Sequence, residues 1–285
     1  MQPPPADLDI TIADVDRLLA TQHPSLRGRL ERVAHGWDND VFRLGDDLAV
    51  RLPRRQEAAQ LVEHEQRWLP ELAPRLPVRI PVPVAVGHPD EHYPWAWSVV
   101  PWFAGRRGLD IDPRERDGLA VELAGVLRAL HVPAPPDAPH NPYRGVPMSE
   151  RDDVVRERLT IAPELLPAWD AGRDAAPWRG PSLWLHGDLY PGNFVVDGGR
   201  LAALIDFGDL CAGDPASDLS VAWLTFTAAG RAVFREALAD RYDDADWTRA
   251  RGWAAALALI SFDSPDPGFR AMARHARSQL TEDGR

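Results

Sequence analysis

The stretch HGDLYPGN, followed by the tripeptide Asp-Phe-Gly, holds the residues of this chain that are best suited to chemistry. Asn193 follows Asp188 by five positions, and Asp206 opens the Asp-Phe-Gly. A carboxylate can accept or orient the proton of an attacking hydroxyl group. Amide and carboxylate oxygens are hard ligands that Mg²⁺ accepts, with water and phosphate completing its coordination. The set therefore indicates phosphoryl transfer, with Asp188 as the proton acceptor and with Asn193 and Asp206 as metal ligands.

Each of these motifs alone is ordinary. An isolated His-Gly-Asp, an isolated Asp-Phe-Gly or an acidic loop residue most often serves turn and capping chemistry. The combination in one ordered run is what carries the prediction. Within it, His186 is expected to brace the loop through hydrogen bonds rather than to act as a second base.

A β-hairpin is predicted to bring the two metal ligands together. Two apolar runs flank Gly198-Gly199, which suits a two-residue hairpin turn. With the glycines as the loop, Asp197 faces Arg200 and the pairing extends back until Asn193 faces Leu204. Asp206 then follows at the open end of the hairpin, on the side of Asn193.

The surrounding pattern predicts an α+β protein of two domains. Residues 1–102 show short strand-like runs, a hairpin signal near Gly45, and one main helix from Arg55 to about Ala73 with apolar residues at helical spacing. After Phe103 a linker, AGRRGLDIDP, leads into a strongly periodic helix over residues 114–131. The remainder of the domain at 103–285 is proline-rich loop, the hairpin, and then mostly helix.

Composition narrows the partners and the compartment. The net charge of −11 over 285 residues argues against nucleic acid as a partner and is compatible with a cationic small substrate. The single Cys211 excludes an internal disulfide and fits a reducing cytoplasm. No secretory signal pattern begins the sequence, and the longest apolar run is too short to span a bilayer. We expect a soluble cytoplasmic protein without a membrane partner.

The segments HGDLYPGN, LIDFGD and GDPASDLS together resemble the aminoglycoside phosphotransferase family. That family includes choline-kinase-like enzymes and has a two-lobed protein-kinase-like fold, with a small β-rich N-lobe and a larger helical C-lobe. The resemblance implies transfer of the γ-phosphoryl group of ATP or GTP to a small-molecule hydroxyl, with Mg²⁺. It assigns Asp188 as catalytic base and Asn193 and Asp206 as metal ligands, and Asp218 resembles the acidic residue that braces the catalytic loop.

The donor site departs from the usual pattern of kinases. They hold the donor phosphates with a lysine on the third strand, paired to a helix glutamate, but this chain contains no lysine and has Arg51 at that place. A guanidinium is permanently charged and can grip phosphate with several N–H donors. By resemblance its helix partner is Glu65, while Glu57 and Glu63 are less favoured alternatives.

The adenine or guanine of the donor is expected to dock against the segment SVVPWFAG. Val100 and Trp102 are the predicted backbone contacts there. Pro101 has no N–H and cannot donate a hydrogen bond.

Acidic residues are the candidates for binding a cationic antibiotic. The alternative for each is an ordinary solvated charge. The candidates are Asp152, Asp153, Glu157, Asp263 and Asp266.

Three other functions remain open. The acceptor can instead be a metabolic alcohol such as an amino alcohol, a sugar or a homoserine-like compound. The replacement of lysine by Arg51 also allows a catalytically silent, nucleotide-binding pseudokinase. A metal-dependent hydrolase is disfavoured because no second histidine clusters with His186.

Overall fold

The computed structural model describes residues 4–282, with the backbone alone at 34, 35 and 260. Residues 1–3 of the first predicted domain and residues 283–285 of the second therefore lie outside the described part. The chain divides into two compact units. The first unit comprises Gln2–Pro74 and Arg79–Ala104, and the second comprises Gly105–Arg285 and Arg75–Val78. The assignment of nucleotide binding and catalysis to separate domains stays a prediction.

The first unit is built on a five-stranded sheet. Its strand order is β1-β2-β3-β5-β4, and every neighbouring pair is antiparallel. Gly45 adopts a positive φ of 61° in the turn between the second and third strands, as the hairpin signal there predicts. The strands are β1 Leu30–His35, β2 Asn39–Leu44, β3 Leu48–Pro53, β4 Ala85–Gly87 and β5 Trp97–Pro101.

Two helices accompany this sheet: α1 (Ile12–Gln22) and α2 (Gln56–Leu72). Helix α1 begins with a capping box, in which the Thr11 hydroxyl accepts from the Asp14 N–H and the Asp14 carboxylate accepts from the Thr11 N–H. Helix α2 packs against β3 and β5 and confirms the main helix predicted from the apolar spacing.

The strand β3 lies in the interior of the first unit. Its residues from Ala49 to Pro53 are all buried, whereas β2 alternates between partly exposed and buried positions. A strand buried on both faces has little freedom to slip in register. Arg51 is therefore held at a fixed place in the middle of the sheet.

The second unit is mostly helical, as predicted. Helix α10 forms its centre and packs against α6, α7 and α11, with Trp169 and Trp253 meeting edge to face at 6.0 Å between ring centroids. No helix in residues 4–282 has the length and apolar character needed to cross a bilayer. The helices are α3 Pro113–Arg116, α4 Ala120–Leu130, α5 Asp152–Leu159, α6 Leu166–Asp174, α7 Ala216–Leu219, α8 Val221–Thr225, α9 Ala228–Glu236, α10 Asp244–Ser261 and α11 Pro267–Glu282.

Two small sheets complete the second unit. One has the order β6-β8-β9 and the other joins β7 to β10, all antiparallel. The predicted linker is thus partly structured, because its two arginines form a strand. The strands are β6 Arg106–Arg107, β7 Leu183–Leu185, β8 Phe194–Asp197, β9 Arg200–Leu204 and β10 Cys211–Gly213.

The single helix predicted over residues 114–131 is wrong. A 3₁₀ turn at Asp117–Leu119 separates α3 from α4. The Asp117 carboxylate accepts the backbone N–H of Thr227 at 2.9 Å, which anchors this point to the start of α9. Gly118 is a weak helix former, so the interruption costs little.

The hairpin forms with one correction to its register. Gly198 and Gly199 have φ values of 55° and 77°, as a type I′ turn requires. A β-bulge lies between the Val195–Ala203 and Val196–Leu201 pairs, so Phe194 rather than Asn193 faces Leu204. The Ile205 N–H donates to the Asn193 carbonyl at 3.0 Å instead. The bulge thereby moves Asn193 one residue closer to Asp206 than predicted.

A buried ion-pair network holds α10 to the segment that follows β10. Arg249 donates to Asp214 at 2.8 Å and to Asp246 at 2.6 Å, and all three side chains are at most 10% exposed. The loss of one partner from a buried pair leaves an uncompensated charge in the interior.

We therefore expect Arg249→Met to lower the free energy of unfolding by about 3–5 kcal/mol. Urea denaturation of the purified variant measures this loss. Arg128→Met is the matched control, because Arg128 pairs with Asp240 at the surface and its loss should leave stability near wild type. Equal effects of the two substitutions would contradict the account.

Candidate active site

A buried carboxylate, that of Asp218, holds the loop that carries Asp188. It begins where β7 ends, and the backbone N–H groups of His186 and Gly187 donate to the two oxygens of Asp218 at 2.7 and 3.0 Å. His131 contacts the same carboxylate at 3.1 Å. Burial alone would raise the pKa of Asp218, but the hydrogen bonds from the His131 ring and the His186 N–H lower it overall. Asp218 therefore remains ionised and fixes the start of the loop.

His186 lies where it can brace the loop. Its Nε2 is 3.0 Å from the Ile205 carbonyl, and the Asp188 N–H donates to its Nδ1 at 3.3 Å. Burial lowers the pKa of His186, which favours the neutral ring. A neutral ring protonated at Nε2 satisfies both contacts. The Phe207 ring packs against it in a tilted arrangement, with 4.3 Å between ring centroids, and is fully buried.

The Asp188 carboxylate lies between an amide and a guanidinium. Asn193 Nδ2 is 3.4 Å from Oδ2, and an Arg144 nitrogen is 3.6 Å from Oδ1. Burial, opposed by Arg144 and reinforced by the nearby Asp209 and Asp206 carboxylates, raises the pKa of Asp188 to about 7. A partly desolvated carboxylate of this kind is typical of catalytic acid and base groups.

Asn193 and Asp206 provide a donor set that fits Mg²⁺. Asn193 Nδ2 donates to the Asp188 carbonyl at 2.8 Å, which leaves Oδ1 as the oxygen of the amide for a ligand. Asp206 is exposed and has a φ of 62°, a left-handed conformation that is rare for residues other than glycine. Such strain is concentrated at functional sites. Two hard oxygen donors beside a phosphate suit Mg²⁺.

Within residues 4–282 no three His, Cys, Asp or Glu side chains are grouped so as to hold a metal ion.

No sequence pattern indicates two residues that the structure places at the site, Asn141 and Arg144. Both lie in the proline-rich loop, which has no periodicity. Asn141 Nδ2 donates to the Asp209 carboxylate at 2.6 Å, and Arg144 faces Asp188. Their positions depend on tertiary contacts. The one sequence feature that marks them is that they are polar residues in a loop between two predicted helices.

In the first unit, Arg51 and Glu65 form the predicted pair. Arg51 donates to Glu65 Oε1 at 2.7 Å, with both side chains at most 10% exposed. The alternatives Glu57 and Glu63 are exposed on α2. The helix partner inferred from resemblance is therefore the one in contact with Arg51.

Val100 and Trp102 lie at the end of β5. Val100 is buried and pairs with Ala49 of β3. The Trp102 N–H donates to the Asp47 carbonyl at 2.7 Å. A backbone contact from Trp102 to a nucleotide base would therefore have to use its carbonyl.

One of the predicted substrate carboxylates lies beside the loop that carries Asp188. Asp266 pairs with Arg107 at 3.0 Å and caps α11 by accepting from the Gly268 N–H. Next to it, Phe269 packs against Tyr190 in a tilted arrangement, with 5.4 Å between ring centroids. Burial and the carboxylates of Asp188, Asp206 and Asp266 raise the pKa of Tyr190. Asp263 is exposed just before α11.

The other predicted carboxylates lie on a different element. Asp153 and Glu157 are exposed on α5, which packs against α6 and α10. Asp152, at the start of the same helix, accepts hydrogen bonds from Arg156, Arg173 and Trp169. Asp152 is thus engaged within the protein.

Comparison with protein families gives one match. The profile of the phosphotransferase enzyme family (APH) matches residues 29–253. A search of curated proteins finds no match.

Solved structures of phosphotransferases share the fold. The GDP complex of aminoglycoside 2'-phosphotransferase-IIIa has a TM-score of 0.64 at 19% identity, covering 96% of this chain and 99% of its own. Macrolide 2'-phosphotransferase MphH from Brachybacterium faecium has 0.62 at 22%, covering 93% and 98%. ADP-bound aminoglycoside phosphotransferase APH(2'')-Ib has 0.60 at 15%, covering 95% and 99%. The predicted α+β, protein-kinase-like fold is confirmed.

The contacts of Asp218 predict a specific cost for its neutralisation. In Asp218→Asn one of the two loop N–H donors would face an NH₂ group, so we expect a loss of about 1–3 kcal/mol in the free energy of unfolding. Amide hydrogen exchange at His186 and Gly187 should accelerate as well.

Asp197→Asn is the control, since Asp197 is exposed beside the hairpin turn. Unchanged exchange at His186 and Gly187 in Asp218→Asn would show that this carboxylate does not hold the loop.

Proposed function

This chain belongs to the phosphotransferase enzyme family, and from that premise we propose that it transfers the γ-phosphoryl group of ATP or GTP to a hydroxyl of a small molecule in the presence of Mg²⁺. The observation that carries the proposal is the convergence at one end of the hairpin. The bulge there pairs the Asn193 carbonyl with Ile205, one residue before Asp206, while the Asn193 amide contacts Asp188.

Asp188 is the residue assigned to the acceptor. Its carboxylate receives the hydrogen bond of the acceptor hydroxyl and orients the oxygen for in-line attack. In phosphoryl transfer the protein contributes mainly positioning and electrostatic stabilisation. The hydrogen bonds of His186 and Asp218 serve this by restricting the loop.

Asn193 and Asp206 are assigned to the metal. Their oxygens would hold Mg²⁺, which supplies neutralisation of charge on the phosphates when it is bound. The amide orientation of Asn193 is fixed by its hydrogen bond to the Asp188 carbonyl, so its oxygen needs no rearrangement to serve as a ligand.

The donor is assigned to residues 1–102 and the acceptor to residues 103–285. In the first of these domains Arg51 would contact the donor phosphates, oriented by Glu65, and Val100 and Trp102 would contact the base. The relatives crystallised with GDP and ADP support a nucleotide donor. Because nucleoside triphosphates are cytoplasmic metabolites, the proposal places the enzyme in the cytoplasm.

The contact between Arg51 and Glu65 disfavours a catalytically silent pseudokinase. Arg51 and Glu65 make a buried 2.7 Å contact, which matches the ion pair of kinase donor sites with arginine in place of lysine. Asp188, Asn193 and Asp206 are also retained together.

The acceptor is proposed to be an antibiotic or a comparable hydroxyl compound that carries few positive charges. Two of the predicted carboxylates already pair with arginine: Asp152 with Arg156 and Arg173, and Asp266 with Arg107. The exposed carboxylates that remain are Asp153, Glu157 and Asp263. The pairing of Asp152 and Asp266 with arginine favours an acceptor with fewer positive charges than a polycation, and it also accommodates a metabolic amino alcohol.

The test is nucleotide turnover with Mg²⁺ and ATP or GTP against aminoglycosides, macrolides and small amino alcohols. We expect acceptor-dependent turnover that falls by about 10²- to 10⁴-fold in Asp188→Asn, because the hydroxyl loses its proton acceptor. Nucleotide affinity should be nearly unchanged. Asp197→Asn serves as the control. Near-wild-type transfer by Asp188→Asn would refute the catalytic assignment.

Asp206→Ala should behave differently from Asp188→Asn. Because the metal ligand is lost, we expect Mg²⁺ no longer to strengthen nucleotide binding. Calorimetric titration of the nucleotide with and without Mg²⁺ measures the difference. If Mg²⁺ strengthened binding to Asp206→Ala as it does to wild type, the metal assignment would be wrong.

A further inference from the structure

The proline-rich loop that precedes the catalytic segment is joined to the strand β10 and the residue after it by backbone hydrogen bonds. The Ala212 N–H donates to the Pro139 carbonyl and the Asp214 N–H donates to the Gly145 carbonyl, each at 2.9 Å. These donors lie in and directly after β10, which pairs with β7. Since β7 leads directly to the loop of Asp188, the proline-rich loop and the catalytic loop are fixed to the same pair of strands.

Two further features lock the proline-rich loop in place. Gly145 has a φ of 66°, and a Cβ there would lie 2.6 Å from the Leu185 side chain, so the backbone approaches β7 as closely as only glycine allows. Asn141 accepts from the Tyr143 N–H at 2.8 Å while it donates to Asp209. Arg144 thus extends from a backbone that is held on both sides.

The Arg144 side chain reaches the catalytic carboxylate. It is 15% exposed, and its guanidinium lies 3.6 Å from Asp188 Oδ1 while donating to the Tyr143 carbonyl at 3.3 Å. Asn193 approaches the other carboxylate oxygen at 3.4 Å. The Asp188 carboxylate therefore has a donor beside each oxygen, one from the hairpin and one from the proline-rich loop.

The contact with Arg144 fixes one side of this carboxylate. Without Arg144, the Asp188 carboxylate would lose the contact at Oδ1 and keep the Asn193 contact at Oδ2. One contact restricts the rotation of a carboxylate less than two contacts do.

We propose that Arg144 is a positioning residue, which holds the Asp188 carboxylate in the orientation that receives the acceptor hydroxyl. This inference rests on the proposed phosphotransferase function. Misplacement of a reacting group by about 1 Å can cost about 10²-fold in rate. The effect should fall on kcat, because Arg144 is assigned no contact with the nucleotide.

The experiment is a double-mutant cycle of Arg144→Gln and Asp188→Asn in the full chain, followed by kinetics and by thermal unfolding. We expect Arg144→Gln to lower kcat by about 10²-fold, with the nucleotide KM unchanged. It should have no further effect in the Asp188→Asn background, since residues that act as a unit are not additive. Arg144→Lys should recover part of kcat, because it restores the charge without the fork of N–H donors.

Thermal unfolding supplies a readout that is independent of turnover. Arg144→Gln should lower Tm in the wild-type background but not in Asp188→Asn, where no carboxylate charge is left unpaired. Arg151→Gln is the matched control. Arg151 lies over the Tyr143 ring at 5.0 Å, so this substitution removes a nearby positive charge and leaves the ion-pair partner of Asp188 in place. It should leave kcat unchanged.

The outcomes separate this inference from the function on which it rests. Additive Tm shifts, or an undiminished kcat in Arg144→Gln, would overturn the role of Arg144 while leaving an active phosphotransferase. A similar loss of kcat in Arg151→Gln would overturn it too, since a general field effect would then explain both. A wild-type protein without turnover on any donor or acceptor would instead overturn the proposed function.

Discussion

The buried carboxylate of Asp218 is the constraint on which the segment around Asp188 depends. A charge that is fully removed from water must be compensated by hydrogen bonds or by an opposite charge. Asp218 obtains this from the His186 and Gly187 N–H groups and from His131, and His131 is in turn bonded to the Tyr242 hydroxyl at 2.6 Å. Helices α4 and α7 and the loop of Asp188 thus share one network, and a movement of the loop would deprive the buried Asp218 charge of two hydrogen bonds.

Local strain at the end of the hairpin is balanced by packing of the adjacent residue. Asp206 adopts a left-handed conformation that costs about 1–3 kcal/mol for a residue other than glycine. Phe207, which follows it, is fully buried and packs against His186. Because burial of a phenylalanine side chain contributes about 1.5–3 kcal/mol, it is sufficient to hold Asp206 in this conformation. The sequence Asp-Phe-Gly therefore combines an exposed carboxylate on a strained backbone with a buried phenylalanine that holds that backbone conformation.

Local patterns predicted the elements, but not the places where distant residues intervene. The Gly198-Gly199 turn was identifiable because its conformation depends on those two residues alone. The break between α3 and α4 was not, because Asp117 is held by Thr227, which is 110 positions away. Arg144 was not predicted for the same reason. The apolar residues of its loop have no regular spacing, and the hydrogen bonds that fix the loop backbone come from the segment around β10. Motif spacing located the Asp188 carboxylate, whereas its surroundings are properties of the tertiary structure.

Arginine is the only strongly basic residue in this chain, which bears on the two carboxylates assigned to the reaction. A guanidinium remains charged at every pH that a protein tolerates, so neither Glu65 nor Asp188 can lose its counter-charge by deprotonation of the partner. The two pairs differ in geometry. Arg51 contacts Glu65 at 2.7 Å, a full hydrogen bond, whereas Arg144 stays 3.6 Å from Asp188. The first distance suits a side chain that only orients another. The second suits a carboxylate that must be aligned and yet keep its lone pairs available for an incoming hydroxyl, because a direct, short hydrogen bond from the guanidinium would compete with the acceptor.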